Sequence, residues 1–409
     1  MPRPKRPTRP VAAANASPLA EAGEIAAGLV ESIGAVLKGA GKTPIGASSL
    51  APRLEFNRVL ISRILNAVKC DDPLEALQRL PGPESLRGFV TGMGRIGVPA
   101  TRVKAALRVI DRFDALISDR YGTRSALNAA ICSHAPSMQR RLELESRQRV
   151  FAGMRELRGF EAETWLSTSI VFPHRDDPSK LNVLLLQGFI GLRQLRSDLP
   201  IYFDFMLVGR GGPVPEAVAD VPIASVGLED LYANPPAETE ILEVDGRKAY
   251  RLSQEQVGKD VVCDMLSFLR VPGFMPRYAN PAGRRTGPFA LIKAPVKTLH
   301  FDILLADGLV DGSDPELFVF SPGPQTGVNV NDRVNSLDRV AVPERVEVVP
   351  PGPGRFDVPS VPNYRRMLDR IARAAGQDLD AMRVHRLSVA YPTFGFEFVS
   401  TFRLRAAAR

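Results

Sequence analysis

Between Asn57 and Asn66 the chain sets two amides, two guanidinium groups and a hydroxyl: Asn57, Arg58, Ser62, Arg63 and Asn66. An amide presents a donor beside an acceptor, and a guanidinium presents a rigid fork of donors. Together they suit the edges of nucleobases and the oxygens of phosphates. Arg53 before this group and Lys69 after it add charges of the kind that hold phosphates without reading sequence. The chemistry on offer is recognition by hydrogen bonding and charge rather than bond making.

Those side chains share a face only if a helix carries them. Residues 47–66 read as a short helix, a tight turn and a second helix. Leu50, Ala51 and Leu54 point inward from the first, and Ile61 and Ile64 from the second with Leu65 flanking them. Ala51 is small where the two helices cross. The first helix accommodates Pro52 in its opening turn if Ser48 or Ser49 is its cap. The five polar residues then lie outward on the second helix. This pattern resembles the helix-turn-helix of bacterial transcription regulators over about 20 of the 409 residues. It departs from that family at Glu55, which stands in the turn where glycine is usual, and at Pro52, which removes a backbone donor from the first helix. The resemblance implies sequence-specific binding of double-stranded DNA, with Asn57, Arg58, Ser62, Arg63 and Asn66 in the major groove and Arg53 and Lys69 on phosphates. It further implies a cytoplasmic homodimer whose C-terminal half dimerises or senses a small-molecule effector.

Charge points the same way. The net charge is +8, and residues 1–69 hold ten Lys/Arg against four acids, so most of the excess sits in the first sixth of the chain. A concentrated positive field draws polyanions. The opening Met1–Pro10, rich in Pro and basic residues, reads as part of a disordered arm over residues 1–18, and no apolar stretch follows that would make it a signal peptide. No apolar run approaches the roughly 18 residues that span a bilayer, so no membrane partner is expected. Three cysteines, Cys70, Cys132 and Cys263, lie far apart and form no metal-type spacing.

The fold class expected is an all-α N-terminal helix-turn-helix region followed by an α+β C-terminal half. Helical periodicity runs through residues 19–122, with Leu19, Ile25, Leu29, Ile33 and Leu37 on one face of the first helix and a later helical hairpin that packs rather than binds. Gly39–Thr43 lacks the first glycine and the preceding strand of a phosphate loop, so it reads as a helix stop. Residues 123–160 read as one or two further helices that link and dimerise. Residues 161–236 form a small α+β lobe, and residues 237–409 a further α+β domain. Strands are expected at Thr164–Phe172, Leu181–Leu186, Ile201–Val208, Thr298–Leu305, Leu317–Ser321 and Val346–Val349, and a closing hairpin from Arg386–Ala390 and Phe394–Leu404.

The search for chemistry in that second half yields no catalytic residues, no metal site and no cofactor. His134, His174, His300 and His385 are scattered. The densest acids, Asp302, Asp307, Asp311, Asp314 and Glu316, read as an acidic loop, and His300 beside it is the best base if there is an enzyme. Two alternatives therefore stand beside the regulator: an enzyme with a metal- or small-molecule-binding C-terminal domain, and a protein-interaction component.

Overall fold

The computed structural model describes residues 18–40, 46–132, 136–203, 219–220, 223–244, 247–252, 257–258, 261–279, 284–321 and 328–407. The arm at 1–17, most of Gly39–Thr43 and the end of the strand expected at Ile201–Val208 lie outside them. The chain divides into two units, Met1–Glu143 and Leu144–Arg409. The first is helical and the second rich in strands, as the sequence pattern implies. Among the described residues no helix is long and apolar enough to cross a membrane.

In the first unit α1 (Pro18–Gly39) buries Ala22, Ile25, Ala26, Leu29, Ile33 and Val36, a helical stripe that forms one wall of the core. Helices α2 (Ala47–Leu54) and α3 (Arg58–Ala67) follow, then α4 (Pro73–Arg79), α5 (Pro83–Arg95) and α6 (Ala100–Ala115). The cap of α2 is Gly46 rather than Ser48 or Ser49, with the Ser49 hydroxyl turned back to the Gly46 carbonyl, so Pro52 lies inside the helix and not in its opening turn. Pro73 and Pro83 open α4 and α5, where a missing N–H costs nothing. The α5–α6 pair is a packing hairpin. Leu86, Phe89, Val90 and Met93 meet the core beside Ala106, Ile110 and Phe113, and Arg87 is tied to Asp111 and Asp114. The helical stretch expected at 123–160 is made of two helices, α7 (Arg124–Cys132) and α8 (Pro136–Arg158), and the boundary between the units falls within α8.

The second unit is built on the strands β1 (Phe160–Pro173), β2 (Lys180–Gln194), β3 (Tyr202–Phe203), β4 (Ala219–Asp220), β5 (Thr239–Val244), β6 (Arg247–Leu252), β7 (Cys263–Pro276), β8 (Phe289–Leu291), β9 (Val296–Leu305), β10 (Glu316–Phe320), β11 (Glu347–Val349), β12 (Arg383–Ala390) and β13 (Glu397–Thr401), with helix α9 (Tyr364–Ala374). A seven-stranded sheet runs β11-β12-β9-β1-β2-β7-β4, with β1 and β9 parallel and the other pairs antiparallel. Two three-stranded sheets, β10-β13-β8 and β3-β6-β5, complete the unit. The large sheet joins β1 and β2 to β7, β9 and β12, so it runs straight across the boundary expected between residues 236 and 237.

Alternation along the strands gives the sheet two apolar faces. On one, Leu185, Phe189, Met265, Leu299 and Phe301 pack with Phe398 and Phe402 of the smaller β10-β13-β8 layer. On the other, Leu166, Ile170, Leu184 and Leu304 pack under Tyr364, Met367, Leu368 and Ile371 of α9. Strand β2 continues eight residues past Leu186 because Gly188 permits a close approach: a Cβ there would stand 2.0 Å from the Met265 carbonyl oxygen. The closing hairpin is not formed. Strand β12 joins β9 and β11, whereas β13 joins β8 and β10, and the chain changes sheets through Tyr391 and Gly395, both at positive φ.

Candidate nucleic-acid interface

Two backbone devices set α3 against α2. Glu55 adopts the left-handed conformation at φ 56°, and its N–H closes α2 on the Ala51 carbonyl. Asn57 then caps α3, its side-chain oxygen accepting from Val59 N–H at 2.8 Å. Leu54 and Phe56 seat this turn on α5, where Gly88 and Gly92 leave room for them.

Ile61, Ile64 and Ala67 are the buried seam of α3. At about 100° per residue, Ser62, Asn66 and Val59 project from the opposite side, with Arg58 and Arg63 at its two edges and Lys69 just past the helix end. Arg58, Arg63, Asn66 and Lys69 are exposed, as are Arg53 on α2 and Asn57 at the cap, and Ser62 is half-buried. The structure thus brings the seven residues singled out in the sequence onto one helix and its immediate flanks. Among the described residues nothing pairs with the side chains of Arg53, Arg58, Asn66 or Lys69.

Two of the seven also serve their own fold. Asn57 gives its oxygen to the cap, which leaves its amide N–H₂ outward. Arg63 donates from Nε to the Arg79 carbonyl at 2.5 Å, at the C-terminal end of α4. Arg124 reaches the same helix end, donating to the Leu77 and Leu80 carbonyls. Burial, and then the charge of Arg63 nearby, brings the Arg124 pKa down to about 10. Two guanidiniums therefore meet the negative end of one short helix. Val59 is the member that a search for donors overlooks. It is 73% exposed between Asn66 and Arg63 on the polar face, and only a helical projection of α3 reveals it.

The second unit places its titratable residues differently. Asp302 is not part of an acidic loop. It lies fully buried on β9, in register with Thr168 of β1 and Arg386 of β12. Arg386 donates to both its oxygens at 2.9 and 2.7 Å, and the Tyr364 hydroxyl donates at 3.1 Å while lying 2.8 Å from the Thr168 hydroxyl. His300 Nε2 stands 3.3 Å from the same carboxylate, and its ring meets Tyr364 edge-on. Burial would raise the Asp302 pKa, but His300 and Arg386 beside it hold it below the usual carboxylate value. Burial, and then Asp302, raises the Tyr364 hydroxyl well above 10. With His300 and Asp302 both inside the core, this arrangement binds α9 to the sheet rather than facing a substrate. Asp307, Asp311 and Asp314 remain exposed on the turn after β9. Among the described residues no group of three His, Cys, Asp or Glu could hold a metal ion. Beside Trp165, a crevice lined by Ser167, Gln187 and Phe289 has room for about one water molecule.

Comparison with protein-family models and with curated proteins gives no match.

Proposed function

We propose that the chain is a sequence-specific double-stranded DNA-binding regulator and that α3 is its recognition helix. One observation carries the reading: the face of α3 opposite its buried seam is occupied by Arg58, Ser62, Arg63 and Asn66, with Arg58 and Asn66 free of partners among the described residues. A helix seated in the major groove reads base edges with such side chains. Arg53 and Lys69 flank it as phosphate contacts, which fix register without specifying sequence. The proposal includes a homodimer on paired half-sites, a small-molecule effector sensed by the strand-rich unit, and a cytoplasmic location.

The test is selection from random duplexes by the full chain at two salt concentrations, beside an Arg58→Ala/Asn66→Ala variant of matched circular dichroism. Arg63 is left intact because it braces α4. We expect wild type to enrich a defined sequence and the variant to lose at least about tenfold in affinity for it, since each good base contact contributes about 1–3 kcal/mol. Binding that is unselective, steeply salt-dependent and equal in both proteins would reduce the basic face to a non-specific one.

A further inference from the structure

We infer that Val59 reads the C5-methyl group of a thymine in the major groove. The inference rests on the recognition-helix reading of α3 and assigns a role within it to a residue that reading leaves unused. Helix propensity does not account for a valine here, because a β-branched residue is a poorer helix former than the lysine or glutamate usual on a wet helix face. Packing does not account for it either, since 73% of the residue is exposed. Scattered exposed apolar residues are common, but the position of this one is specific. Ile61, Ile64 and Ala67 define the buried direction of α3. By helical projection Ser62 and Asn66 lie within about 20° of the opposite direction and Val59 within about 40°, between Asn66 and Arg63, with Arg58 at the far edge of the face.

Val59 is also held still. It sits in the first turn of α3, the end from which recognition helices reach base edges. Its own N–H is bound by the Asn57 cap at 2.8 Å. Its branched side chain has little χ1 freedom and leans toward the helix N-terminus. Two methyl groups are therefore presented in a fixed direction amid amide and guanidinium donors. In the major groove the matching apolar feature is the thymine methyl, which no other base of unmodified DNA carries.

Deoxyuridine provides the test, because it removes that methyl and leaves the pairing edge unchanged. A site selected by the full chain is resynthesised with each thymine replaced in turn, and affinities are measured for wild type and for Val59→Ala. Burial of one methyl group corresponds to about a fourfold change in affinity. We expect one thymine per half-site at which deoxyuridine weakens wild type about fourfold and leaves Val59→Ala unaffected. A selected site at which every deoxyuridine penalty persists in Val59→Ala, or which contains no sensitive thymine, overturns the assignment and leaves α3 as a DNA reader. Failure to select any site overturns both. Val59→Ala lies on an exposed face, and a melting temperature matching wild type confirms that the fold is intact.

Discussion

Glu55 holds a backbone conformation that costs an L-residue about 1 kcal/mol and glycine almost nothing. Its side chain is exposed. Glu55→Gly should therefore raise stability by up to about 1 kcal/mol, seen as a higher melting temperature, and should strengthen non-specific DNA binding by removing an acid beside the basic face. A lower melting temperature would show that the carboxylate makes a stabilising contact. At this scale the sequence is a good guide to donor types and a poor guide to what the donors already hold. The spacing of Arg58, Ser62, Arg63 and Asn66 is enough by itself to put them on one helical face. That Arg63 holds the end of α4, 16 residues away, and that Asn57 caps its own helix, depends on where the chain turns. Val59 escapes the same spacing argument because it carries no polar atom for that argument to use.

Elements are legible where their period is long and one face is wet. Helices α1, α5, α6 and α9 repeat apolar residues at helical spacing, and the structure follows them. Strand β7 is harder, because its first seven residues, Cys263–Leu269, are all buried and show no alternation. Strand β2 hides behind two glycines that read as turn signals but serve a close approach and an irregular register. The glycines of α5 are of the same kind. A Cβ at Gly92 would meet Leu54 Cδ2 at 3.2 Å, and one at Gly88 would meet the Phe56 ring at 2.9 Å. Gly92→Val should thus press α2 away from α5 and destabilise the helical unit by about 1–3 kcal/mol, measured by urea unfolding followed at 222 nm. Because Leu54 and Phe56 flank the turn, selective DNA binding should fall with it. A variant as stable as wild type would mean that the two helices have slack between them.

For the molecule as a whole, the strand-rich unit should be the acid-sensitive one. His385 on β12 is buried against Phe402, and its Nε2 accepts from Arg383 Nε at 3.1 Å. Burial, reinforced by the Arg383 charge, lowers its pKa from 6.5 to about 4. The unfolded chain then binds this proton before the folded one does. The contribution to stability is complete above pH 6.5 and is lost as pH falls toward about 4, amounting to up to about 3 kcal/mol. Asp302, held below 3.8, adds its own loss at still lower pH. Denaturant unfolding between pH 7 and 4 should show this slope, and His385→Gln should flatten it; an unchanged slope would assign it to other groups. The α-then-α+β order is legible from texture alone, but the sheet is not, because β1 finds its parallel partner β9 more than 130 residues along the chain. That central strand also carries Trp165, the one tryptophan of the chain, against the Phe189 ring at 4.6 Å. The two units therefore have separate optical signatures. Indole emission reports the sheet of the second unit, whereas ellipticity at 222 nm is dominated by helices, chiefly α1–α7 of the first unit. A single unlabelled sample scanned at both signals distinguishes units that melt together from units that melt apart.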